Sequence, residues 1–259
     1  MDITTGLLLL AIGIIAGGYG IIVGAGGGFI FVPALLLILD MPPEIAAGSG
    51  LLVVLINSLS GVFGYARQKR IHYKTGMLLA ISAVPGTILG VWLVQNNPAS
   101  WFYSIFGGLL VALSIFLFIK NSSIGFRKTP NGHSSGEQKD KEIGVKGLIL
   151  IGAVIGVISS YLGIGGGWLL VPILVYVFHI APHYATATSI FSLCLYTAVG
   201  SALQIYFGNV DWTAVFWGGL GVLAGSQLGV RLSRKISGTA IIQMLSFLLM
   251  IIGLRLLFD

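Results

Sequence analysis

The chain has 259 residues, 56% of them hydrophobic and only 8% charged, and a formal net charge of +6. A water-facing domain carries about 25% charged residues, so the composition excludes a soluble domain of any size and leaves lipid to cover most of the surface. The basic residues fall in short clusters between apolar runs, which is no nucleic-acid face, and Cys194, the single cysteine, leaves neither an intramolecular disulfide nor a cysteine metal cluster.

Residues 1–5 lack the basic stretch that opens a signal peptide, so the first apolar run is read as part of the mature protein. Apolar runs follow over 6–39, 45–66, 75–95, 101–119, 147–178, 184–207, 212–230 and 239–258. Most have the length of about 20 residues that spans a hydrocarbon core of about 30 Å. Two, 6–39 and 147–178, are too long, and both are interrupted by glycines. The sizeable polar stretch at 120–146 reads as a flexible connector.

The connector divides two similar halves. Gly24-Ala25-Gly26-Gly27-Gly28 followed by Val32-Pro33 matches Gly163-Ile164-Gly165-Gly166-Gly167 followed by Val171-Pro172, at an offset of 139 residues. The same offset pairs Gly17 with Gly156, Pro43 with Pro182, Gly61 with Gly200, Gly86 with Gly225 and Gly90 with Gly229. Apolar bias would match leucines, but it would not hold glycines and prolines in one register. The expected units are 1–119 and 147–259, joined by the 120–146 connector.

Charge sets the expected topology. Loops 66–74 and 231–238 and the connector hold every Lys and Arg except Arg255, whereas 1–5, 40–44, 95–100 and 208–211 hold none and carry Asp2, Asp40, Glu44 and Asp211. Positive residues stay inside, so the basic loops are expected in the cytoplasm and both termini outside it. The basic loop at 66–74 matches the acidic one near 208–211, so equivalent loops lie on opposite sides. The expected fold is therefore an all-α integral membrane protein of two inverted-topology repeats, each a glycine-broken helical hairpin plus three transmembrane helices. The arm after each glycine cluster has about 12 residues, or about 18 Å of helix, which puts each tip at membrane depth.

Unwound backbone in a bilayer is tolerated only where protein covers it or a cavity wets it. A run of glycines lets a ligand reach the amides, and the short helix after each tip adds its positive N-terminal end. Close packing by small residues is the competing use of the same glycines. No Asp or Glu falls inside an expected span, so an anion is the expected substrate, bound by amides and hydroxyls. The candidate binding residues are Gly24, Gly26, Gly27, Gly28, Gly163, Gly165, Gly166 and Gly167, with Ser49, Asn57, Thr188 and Ser189. Ser58, Thr186, Tyr196 and Thr197 share their helices. Pro33 and Pro172 are candidate structural or gating positions. His179 and His183 flank Pro182 and read as a boundary pair or a proton-sensitive gate, and Arg255 as snorkelling near a helix end. No metal, cofactor or nucleic acid is expected.

The duplicated GxGGGxxxVP segments resemble those of the sulfite exporter TauE/SafE family, over essentially the whole chain. The resemblance implies transport of sulfite or organosulfonate anions across the cytoplasmic membrane, generally as export. It implies roles for Gly24, Gly26, Gly27, Gly28 and Pro33 and for Gly163, Gly165, Gly166, Gly167 and Pro172. The family often shows a Thr-Ser pair in the next helix; Thr188-Ser189 fits it and Ser49-Gly50 departs. The sequence expectation is thus a secondary transporter in the cytoplasmic membrane, not an enzyme, with a small anion and lipid as partners and the oligomeric state open. An anion-selective channel is the alternative.

Overall fold

The computed structural model describes residues 3–124 and 145–258. The polar stretch with Arg127 to Gly136 lies outside them. The described residues form ten helices and no strand: α1 (Ile3–Val23), α2 (Gly28–Ile38), α3 (Pro43–Arg67), α4 (Tyr73–Asn96), α5 (Ala99–Ile124), α6 (Val145–Leu162), α7 (Gly167–Tyr176), α8 (Pro182–Tyr206), α9 (Trp212–Leu232) and α10 (Gly238–Phe258). Both ends of the expected connector are helical, since α5 runs on to Ile124 and α6 starts at Val145. Helix is the state in which an apolar segment satisfies its own backbone without water. Among the described residues six helices are long and apolar enough to cross a membrane: α1, α3, α4, α8, α9 and the Ser100–Leu117 part of α5. Leu7, Trp92, Trp101, Trp212 and Phe216 are exposed on their outer faces, where lipid would cover them. The protein is a multi-pass membrane protein.

The helix bounds recur at the sequence offset. Pro43 and Pro182 occupy the first turns of α3 and α8, where a missing N–H costs nothing. Lys69 (φ 53°) and Gly208 (φ 76°) take the left-handed turn that stops each of these helices.

Packing recurs too. α1 lies against α9 and α4 against α6 at backbone distance. A Cβ on Gly13 would come within 2.6 Å of the Gly218 carbonyl oxygen, and one on Gly152 within 3.0 Å of the Leu79 carbonyl oxygen. Small residues permit such approach where lipid supplies no hydrophobic drive between helices. The contacts advance together along both pairs, so α1 runs parallel to α9 and α4 parallel to α6. α3 and α8 run antiparallel across the centre. The His72 N–H, after α3, donates to Thr188 Oγ1 near the start of α8 (3.1 Å), and the Asp211 N–H, after α8, donates to Ser49 Oγ near the start of α3 (2.9 Å).

Candidate functional site

The sequence expects helical hairpins broken at GAGGG and GIGGG, and in the structure a helix break falls at each cluster. α1 stops at Val23 and α2 starts at Gly28; α6 stops at Leu162 and α7 starts at Gly167. α1 enters from the end at which α9 and α3 begin, and α2 returns to it. Pro33 and Pro172 lie inside α2 and α7, which continue past them.

Both tips are buried near the midpoints of α3 and α8. Gly26 and Gly165 each face Val54 and Leu193, which are offset partners: a Cβ on Gly26 would lie 3.0 Å and 3.3 Å from them, and one on Gly165 2.8 Å from both. The tips also touch each other. A Cβ on Gly28 would reach to 2.6 Å from the Ile164 carbonyl oxygen, and one on Gly167 would overlap the Gly24 carbonyl oxygen. Gly24 (φ 77°), Gly26 (φ 82°), Gly27 (φ 80°), Gly163 (φ 70°) and Gly165 (φ 71°) hold the left-handed conformation that other residues resist. Gly166 departs, with φ −81°.

Few side chains reach the tip backbone. Asn57 Nδ2 donates to the Gly26 carbonyl (2.9 Å), Ser189 Oγ to the Gly24 carbonyl (2.8 Å), and the Gly166 N–H donates to Tyr196 Oη (2.8 Å). Asn57 and Tyr196 are offset partners, so one position serves both tips with opposite polarity: a donor to a carbonyl in one, an acceptor for an amide in the other. The Gly24, Ala25 and Gly26 N–H groups are engaged by Ile21 and Gly20 carbonyls at the end of α1. Of the expected hydroxyls, Ser189 and Tyr196 reach a tip. Ser49 and Thr188 instead hold the loop amides of Asp211 and His72. Ser58, Thr186 and Thr197 bond carbonyls of their own helices, at Leu55, His183 and Leu193. Gly50, the offset partner of Ser189, offers the Gly163 carbonyl no hydroxyl and sits against it instead.

Sequence reasoning missed Ser159, Ser160 and Thr87. Their hydroxyls are buried without a hydrogen-bond partner beside the α6–α7 hairpin, as is Asn57 Oδ1 near the α1–α2 tip. Adjacent serines inside the apolar run 147–178 were the available signal. No group of His, Cys, Asp or Glu among the described residues could hold a metal ion; His179 is exposed and His183 is half-buried at the start of α8.

The family described as Sulfite exporter TauE/SafE matches residues 9–256. The chain is 29% identical to the probable membrane transporter protein YunE of Bacillus subtilis, over 98% of this chain and 97% of that one. It is also 29% identical to the probable membrane transporter protein MJ0441 of Methanocaldococcus jannaschii, over 96% and 94% of the two chains. The probable membrane transporter protein YjnA of Bacillus subtilis is 27% identical over 99% of this chain and 100% of its own. No solved structure matches.

Proposed function

This chain belongs to the sulfite exporter TauE/SafE family, and we propose that it is a secondary transporter moving a small sulfur-containing anion, sulfite or an organosulfonate, out across the cytoplasmic membrane. The carrying observation is the meeting of two glycine tips at mid-helix depth. In this reading 1–119 and 147–259 are inverted repeats around a cytoplasmic connector, both termini face outward, and the antiparallel crossing of α3 and α8 supports that inversion. Alternating access rocks one repeat against the other about the tips.

The anion binds at Gly24, Gly26, Gly27 and Gly28 and at Gly163, Gly165, Gly166 and Gly167. The N-terminal ends of α2 and α7 supply positive potential without a fixed charge. Asn57 and Ser189 border the bound anion, and Ser49 and Thr188 flank it toward the two loops. In the closed packing described above, Val54 and Leu193 fill the space between the tips, so loading requires them to separate. A negative interior favours anion exit by about 2.3 kcal/mol per charge per 100 mV, so export needs no ATP.

The test is sulfite flux in proteoliposomes. Saturable flux with counterflow is expected; an ohmic sulfite current would mean a channel, and no movement of sulfite or sulfonates would end the substrate assignment. The topology is tested with Cys194 replaced by Ser. Cysteines placed at Gln95 and Asn209 should react with an impermeant reagent from outside intact cells, and one at Ser135 should not. Reaction of the Asn209 position from the cytoplasm alone would sink the inverted arrangement.

A further inference from the structure

The two faces flanking the tips are unlike in charge. Beyond the α1–α2 tip, toward the loop between α3 and α4, lies Arg70. Its Nη1 is buried and has no hydrogen-bond partner. His183 Nδ1, which feels the Arg70 charge, is also buried without a partner, as is Gln68 Oε1, two residues before Arg70 in the same loop. The Arg70 charge acts on both Tyr65 and His183, and the Thr186 and Ser233 hydroxyls flank the Tyr65 phenol. Packed contacts run from here to the tip: Tyr65 Oη donates to the Ile21 carbonyl (2.8 Å), and a Cβ on Gly24 would lie 2.8 Å from the Thr186 Cα. On the other face the offset partner of Arg70 is Asn209 and that of Tyr65 is Gln204, and these two bond each other (2.8 Å). At the offset position that face has Asn209 instead of a cation.

A buried guanidinium N–H without a partner is expensive, because desolvation is not repaid by any acceptor. A planar fork of donors suits an oxyanion that can accept two of them. The start of α8, at Pro182, adds the positive end of a 25-residue helix beside His183. Tyr65 stands between the guanidinium and the α1–α2 tip, so an ion held at Arg70 is one step from the glycines.

We propose that Arg70, with His183 and Gln68, forms a loading subsite for a small oxyanion on the α3–α4 loop face, from which the ion passes Tyr65 and Thr186 to the α1–α2 tip. The subsite rests on the anion-transport reading and deepens it. Because the opposite face has Asn209 in place of Arg70, affinity differs between faces. Under the positive-inside topology the loaded face is the cytoplasmic one, the face from which an exporter must collect its substrate.

The experiment uses the full-length purified chain and three probes, sulfite, sulfate and methanesulfonate, with binding measured by titration calorimetry and uptake measured in inside-out and right-side-out vesicles. Arg70→Gln should weaken oxyanion binding by about 10- to 150-fold, the range for one lost charge-assisted hydrogen bond, and should flatten its dependence on salt. Half-saturation should rise on the Arg70 face and stay unchanged on the other. Arg70→Lys, which keeps the charge and loses the fork, should fall between, and it keeps the test alive if the Gln variant does not fold. His183→Gln should weaken binding several-fold. Wild-type affinity and half-saturation on both faces in Arg70→Gln would overturn the subsite, as would failure of the wild-type chain to bind any of the three probes. The two readings fail separately. Arg70-dependent binding of sulfate without sulfite flux would keep the subsite and remove the substrate assignment, whereas sulfite flux indifferent to Arg70→Gln would do the reverse.

Discussion

The α1–α2 and α6–α7 hairpins share their glycine pattern and the left-handed turns at Gly24, Gly26, Gly163 and Gly165, but they differ at Gly27 against Gly166 and in what surrounds the tips. At the crossing the glycines match in both: Gly28 meets Ile164 backbone, Gly167 meets the Gly24–Ala25 backbone, and Gly26 and Gly165 both meet the side chains of Val54 and Leu193. Where side chains line the hairpins, the partners diverge. At one position Ile21 fills the space against Gly61, and at the same position in the other half Ser160 faces Gly200 with an unpartnered hydroxyl. Gly20 is matched by Ser159, and Asn57 by Tyr196. The frame tolerates no added atom at the crossing, so it stays duplicated. The lining differs between the two hairpins, with serines at the positions that Gly20 and Ile21 hold in the other.

The largest expected effect comes from the Ile21–Ser160 pair. Ile21→Ala should cost about 2–5 kcal/mol, the range for a large-to-small change in a packed core. Ser160→Ala removes a buried hydroxyl that has no partner and should leave stability unchanged or slightly raised. Thermal melting in detergent reads both, and a similar large loss in each would show that Ser160 is structural and end the contrast.

Next come the crossing glycines. Gly28→Ala and Gly167→Ala drive a methyl into the opposite tip, and overpacking of this kind costs about 1–3 kcal/mol. Matched losses in melting temperature are expected. Free tolerance of either variant would mean that the two tips do not press on each other.

Gly27→Ala and Gly166→Ala should part company. Gly27 sits at φ 80° with the Ala16 carbonyl oxygen 2.6 Å from an added Cβ, whereas Gly166 has an ordinary φ. The left-handed penalty of about 1–2 kcal/mol falls on Gly27 alone. Sulfite affinity should drop in both if the tip amides bind it, and normal affinity in both would rule out the tip as the site. Equal melting losses would mean that crowding of the added methyl by Ile155 and Tyr196 at Gly166 matches the φ penalty at Gly27.

The smallest effect is expected at Ser189. Ser189→Ala removes its bond to the Gly24 carbonyl and should cost about 0.5–1.5 kcal/mol. Gly50 has no hydroxyl to lose. If Ser189 also borders the anion, half-saturation for sulfite should rise while expression holds; unchanged half-saturation would leave it a structural bond.

The hairpin breaks were legible because a glycine run interrupts an apolar stretch too long for one crossing. The hydroxyl assignments were less so. Ser49 and Thr188 matched in register and drew a binding role, yet both hold loop amides, since a hydroxyl on a helix is aimed by whichever neighbour lies opposite. Ser159, Ser160 and Thr87 escaped notice because helix position alone does not tell whether a serine back-bonds to its own turn or stands unpaired.

The sequence by itself determined the membrane class, the 139-residue register, the hairpin breaks and the basic loops. These follow from composition, periodicity and backbone chemistry, each local to its own segment. Only the tertiary structure decided that the tips press on each other against Val54 and Leu193, that Asn57 and Tyr196 serve them with opposite polarity, and that Arg70 Nη1 is buried without a partner on one face. Those facts depend on which helices lie adjacent, and adjacency between residues more than a hundred positions apart is set by the packing of the whole bundle.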